Sequence, residues 1–81
     1  HLIHELNAYR KDGLALYLAA RQLQGADRPD LALPLIRSAR ARGLPTRRLQ
    51  VEAMRMHALC AFQSGLLDET ETSFRELHAM E

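Results

Sequence analysis

The stretch Leu14-Ala15-Leu16-Tyr17-Leu18-Ala19-Ala20-Arg21 returns in disguise as Glu52-Ala53-Met54-Arg55-Met56-His57-Ala58-Leu59. Ala15 aligns with Ala53, Leu16 with Met54, Leu18 with Met56 and Ala20 with Ala58, each pair 38 positions apart. The same shift carries Asp30 onto Asp68, Ile36 onto Phe74, Arg37 onto Arg75 and Ala41 onto Ala79. Small residues meet small residues and large apolar residues meet large ones. A period of this size marks a supersecondary unit that cannot bury its apolar face alone and stacks on its neighbours. The two copies run from about 7 to 43 and from about 45 to 81.

Working outward, every segment has helical spacing. Leu2, Leu6, Tyr9, Gly13, Leu16, Ala20 and Leu23 form one stripe. Lys11-Asp12-Gly13 interrupts it: Gly13 could cap a first short helix with Asp12 starting a second, but the second copy has no matching break, so one long or bent helix from about Leu2 to Gln24 is the favoured reading of the two. Gln24-Gly25-Ala26-Asp27-Arg28-Pro29 is a turn, with Asp27 as a possible cap. A second helix spans about Pro29 to Arg42, with Leu31, Leu35 and Ala39 on one side and Ala32 and Ile36 beside them. Pro34 removes its first hydrogen bond or kinks it, depending on where the helix starts. Gly43 suits a helix end and Thr46 an N-cap. A third helix covers about Thr46 to Ser64, and Gly65 breaks the chain. Asp68 is expected to open a fourth helix, with Thr70, Phe74, Leu77 and Met80 facing inward. No strand-like alternation occurs, so the fold class is all-α: two antiparallel helical hairpins joined by short turns.

Composition agrees. Apolar residues make up 47% of the chain, enough for a folded domain. Trp is absent and there are only two Tyr and two Phe, so Leu, Ala and Met must build the core. The net charge of +1 gives no overall attraction to nucleic acid or an anionic membrane. Cys60 is alone, which rules out an intrachain disulfide and leaves a buried structural thiol as its expected role. No apolar run approaches the roughly 20 residues of a membrane span. The chain begins at His1 and stops in mid-pattern at Glu81, which suggests a segment of something longer, in a cytoplasmic or periplasmic setting left open.

Each hairpin resembles a tetratricopeptide repeat (TPR). That family places a large apolar residue, a small one four later and a large one three after that on its first helix. Leu16, Ala20 and Leu23 match, as do Met54, Ala58 and Ala61 more loosely. In the second helix Ala32, Ile36 and Ala39 match, with Thr70, Phe74 and Leu77 as their counterparts. Gly65 stands at the family's turn glycine, where the first copy has Asp27. The period is 38 rather than the family's 34, with the extra residues before each first helix. This resembles the extended repeats of some signalling ATPases and transcription regulators.

The resemblance implies a right-handed superhelical stack whose first helices line a concave groove for a partner protein or peptide. The groove candidates are Tyr17, Arg21 and Gln24 from the first copy, and Arg55, Leu59 and Gln63 from the second. Arg21 and Arg55 suit a carboxylate, and Tyr17 suits an apolar side chain. A scaffold or adaptor role is therefore expected. The alternative is a structural or self-associating repeat, forming a homo-oligomer or stacking within a larger bacterial secretion, envelope or regulatory protein.

Other chemistry is thinly represented. Arg37, Arg40, Arg42, Arg47 and Arg48 form a basic stretch, but Arg37 points away from Arg40 and Arg42, and no aromatic residue accompanies them. Nucleic-acid contact through Arg37–Arg48 is the weakest alternative. His1, His4 and Glu5 have helical spacing but lack a further metal ligand. His57 reads as a satisfied packing histidine. No nucleophile–base set and no glycine-rich phosphate loop is present, so no catalytic residue, metal or cofactor is expected.

Overall fold

The computed structural model describes residues 12–80. They form four helices: α1 (Leu14–Gly25), α2 (Pro29–Arg42), α3 (Arg47–Gln63) and α4 (Leu67–Met80). No strand occurs among the described residues. Each helix packs on its neighbour in sequence, and α1 also touches α3. Because the connecting turns are only a few residues long, consecutive helices run antiparallel. The all-α expectation holds.

The repeat is visible in the hydrogen bonds of the turns. At the end of α1, Asp27 N–H donates to Gln24 O at 3.0 Å and Arg28 N–H to Leu23 O at 2.9 Å. At the end of α3, Gly65 N–H donates to Phe62 O at 3.0 Å and Leu66 N–H to Ala61 O at 2.9 Å. These are Schellman closures at equivalent positions. Both need a left-handed residue, Asp27 at φ 62 and Gly65 at φ 79. Asp27 therefore closes α1 rather than capping α2, whose N-cap is Arg28 without a side-chain cap bond. Thr46 caps α3 as expected, its Oγ1 accepting from Leu49 N–H at 3.1 Å.

Of the two readings of the stripe from Leu2 to Gln24, the favoured single helix is corrected at Gly13 and the alternative of a helix start at Asp12-Gly13 holds. The described part of that helix starts at Leu14, and Gly13 is its N-cap at φ −90, ψ 13. The cause is tertiary. Gly13 N–H donates to Gly43 O at 2.7 Å, joining the start of α1 to the end of α2. A Cβ on Gly13 would lie 2.2 Å from Ala39 O, so only glycine allows this approach. Asp12 Oδ1 accepts from Leu14 N–H at 3.1 Å and secures the new helix start. The second copy has Val51 at this position, inside α3, which explains why its first helix continues unbroken.

The core is built from alanines and a few larger residues. Ala20, Ala32, Ala39, Ala53, Ala58 and Ala61 are wholly buried, which lets the helix axes approach closely. Tyr17, Leu33, Ile36, Leu44, Met56 and Cys60 fill the space between them. Pro34 lies inside α2 on an exposed side. The helix starts five residues earlier, so Pro34 leaves the Asp30 carbonyl without its helical donor. Leu31, expected beside Leu35 and Ala39, is instead 45% exposed. Phe74, expected inward, is 50% exposed, whereas its equivalent Ile36 is wholly buried. The difference is the neighbour: α3 covers α2, and none of the described helices covers the far side of α4.

Candidate functional site

The inner faces of α1 and α3 form an open groove of about 590 Å³. From α1 it takes Tyr17, Arg21 and Gln24, which share a face by their 4-3 spacing. From α3 it takes Arg48, Glu52, Arg55 and Leu59 by 4-3-4 spacing, with Leu49 and Met56 from the neighbouring stripe. Five of the six sequence candidates therefore come together: Tyr17, Arg21, Gln24, Arg55 and Leu59. Gln63 does not line the groove, because it is the last residue of α3, a full turn beyond Leu59.

The groove has an apolar floor and a basic rim. Tyr17 is 4% exposed and belongs to the core, as does Met56. The Tyr17 ring is thus a wall of the groove rather than a free arm reaching for a ligand. Leu59, exposed on α3, adds apolar surface. Among the described lining residues, Arg21, Arg48 and Arg55 face one carboxylate, Glu52, which accepts from Arg55 at 3.2 Å. Among the described residues neither Arg21 nor Arg48 has an ion-pair partner. The described lining therefore carries a surplus of positive charge, from Arg21 and Arg48, in a concave site where an anionic group is favoured.

Arg48, Leu49, Glu52 and Met56 were not among the sequence candidates. Their signal was the stripe itself, since Arg48 and Glu52 continue the register of Arg55 and Leu59 toward the N-terminus of α3. The basic stretch had absorbed Arg48 instead.

The rest of that stretch is engaged elsewhere. Arg37 grips Glu69 with two parallel bonds, Nε to Oε2 at 2.8 Å and NH2 to Oε1 at 2.7 Å. Arg40 donates to His57 Nδ1 at 2.8 Å and to Glu76 Oε2 at 2.7 Å. His57 Nε2 meets Glu69 Oε2 at 2.5 Å. Arg47 donates to the carbonyl of Met80. Five side chains thus form one chain of contacts across α2, α3 and α4, which corrects the expectation that Arg37 points away from Arg40: three residues apart, they share one face of α2. The Arg37 guanidinium is the main reason that the Glu69 carboxyl is held down at about 2, with His57 adding to it against the opposing effect of burial. His57 is 9% exposed with both ring nitrogens engaged. Burial pushes the Cys60 thiol up, which keeps it protonated and unreactive at neutral pH.

Among the described residues no group of three His, Cys, Asp or Glu is placed to hold a metal ion. His1, His4 and Glu5 lie outside the described residues. No described helix is long and apolar enough to cross a membrane. Compared with protein-family models, curated proteins and solved structures, the chain matches none.

Proposed function

We propose that this chain is a TPR-like interaction module that binds an extended, acidic segment of a partner protein in the groove between α1 and α3. The observation that supports this reading is the composition of the groove. Two separate helices contribute Arg21, Arg48 and Arg55 around a single carboxylate among the described lining residues, over a floor of Tyr17, Leu49 and Met56. An extended peptide alternates its side chains, so acidic residues can meet the rim while apolar residues meet the floor. Guanidinium groups suit this task because each can hold a carboxylate by two bonds. The floor is already packed in the free protein, so binding orders little of the receptor. The function is that of an adaptor, with recognition in the first helices and support from the second.

The test is selection of peptides from a random displayed library on the full chain. Enriched sequences are expected to carry several Asp or Glu beside apolar residues. Their affinity should fall about tenfold or more in the double variant Arg21→Glu plus Arg48→Glu, since each rim charge acts on a desolvated partner. Neutral or basic winners that bind this variant equally well would refute the reading.

A further inference from the structure

We infer that the outer face of α4 is a second docking surface, for a helical hairpin with two carboxylates seven residues apart on its second helix. The joint that α2 already makes supplies the pattern. Ile36 of α2 is wholly buried beneath the second hairpin. Arg37 clasps Glu69, and Arg40 clasps Glu76 together with His57. Glu69 and Glu76 are seven positions apart, so they lie along one side of α4.

Moving 38 positions on reproduces the grip but not the partner. Ile36 becomes Phe74, Arg37 becomes Arg75, Ala39 becomes Leu77 and Arg40 becomes His78. Phe74 is half exposed. With Glu71, Arg75, Leu77 and His78 it lines an open hollow of about 550 Å³. Arg75 holds Glu71 one turn back, and its side chain is 76% exposed. A guanidinium has five donors, so it can keep Glu71 and accept a second carboxylate. The His78 ring can donate to the other. Glu71 stands where α2 has Leu33, and Arg75 already balances that charge.

A second copy of this chain does not meet the requirement. Its first hairpin would bring Leu31 and Ser38 to the places of Glu69 and Glu76, and neither carries a charge. Its second hairpin already uses those carboxylates on α2. The occupant is therefore a different hairpin, acidic at those two positions.

The test is a chain lengthened by one more hairpin of the acidic kind. A duplicate of Leu44–Glu81 joined directly after position 81 keeps the period. Glu81→Gly goes with it, because the equivalent Gly43 sits at φ 87. The lengthened chain should melt about 5 °C or more above the original. Arg75→Glu should lower its Tm by about 4 °C more than it lowers that of the original chain. Changing the duplicate of Glu69 to Arg should restore most of that loss. An added hairpin that stays unfolded, or an equal effect of Arg75→Glu in both chains, would overturn the inference. So would a concentration-dependent dimer of the original chain that Phe74→Ser dissolves, because the face would then belong to a second copy.

Discussion

Arg40 of α2 donates from NH1 to His57 Nδ1 of α3 across 2.8 Å, and this fixes the protonation of the ring. A guanidinium can only donate, so Nδ1 is an acceptor and the proton sits on Nε2. That N–H then donates to Glu69 Oε2 at 2.5 Å. His57 thus links an arginine of one hairpin to a carboxylate of its own. At neutral pH, 15N spectra of the ring should show the Nε2-protonated tautomer. A ring protonated on both nitrogens would contradict the Arg40 contact. His57→Ala removes one hydrogen bond from each of the half-buried Arg40 and Glu69, which keep Glu76 and Arg37 as partners, and should destabilise the fold by about 1 kcal/mol in urea unfolding.

The acid sensitivity of the fold follows from Glu69. Its carboxyl is held at about 2, below the ordinary 4.5. A depressed carboxyl contributes stability that is complete above the ordinary value and fades as pH falls toward the folded one. The urea midpoint of the native chain should therefore drop between about pH 4.5 and pH 2. Glu69→Gln should be less stable at pH 7, and its midpoint should fall more gently over that window. The gap between the two should close near pH 2. Parallel curves for the two proteins would show that Glu69 does not carry the effect.

The glycines at the two ends of α1, Gly13 as its N-cap and Gly25 as its last residue, should behave in opposite ways. At Gly13 a methyl group would meet the Ala39 backbone, with atoms at 2.2 and 2.6 Å, and backbone cannot yield as a side chain can. Gly13→Ala should cost about 3 kcal/mol or more, as overpacking against a fixed surface does. At Gly25, the last residue of α1, an added Cβ meets nothing within 4 Å. Gly25→Ala should be neutral or stabilise by up to about 1 kcal/mol. Thermal unfolding of the two variants beside the native chain checks both.

The turns give a third pair. Asp27 and Gly65 occupy equivalent left-handed positions, but only one of them is glycine. Asp27→Gly relieves a conformation that side chains disfavour and should stabilise by about 0.5 kcal/mol after the entropy of glycine is subtracted. Gly65→Asp should destabilise by a similar amount. Equal midpoints for native and Asp27→Gly proteins would mean that Asp27 adopts this backbone without strain.

Much of this was legible in the sequence because it is local. The 38-residue echo placed both turns, and three of the four helices fell within a residue or so of their expected limits. The resemblance of each hairpin to a two-helix repeat pointed to Tyr17, Arg21, Gln24, Arg55 and Leu59, and these five do line one groove. What escaped depends on neighbours that a single helix cannot announce. The break at Gly13 comes from the approach of Ala39 and Gly43, far away in the chain. Arg37 and Arg40 looked like ordinary cations near a helix end, and nothing local says that Glu69 and Glu76 wait across the joint. Phe74 has a core residue's spacing, and only the absence of a described neighbour leaves it exposed.

The central claim is that recognition occurs in the groove between α1 and α3. The most direct measurement is a titration of the 15N-labelled full chain with an acidic, apolar-containing peptide, followed by amide chemical shifts. The shifts should concentrate on Tyr17, Arg21, Gln24, Arg48, Glu52 and Arg55, and should vanish in the Arg21→Glu plus Arg48→Glu variant. Shifts confined to α2 and α4, or unchanged by that variant, would contradict the claim.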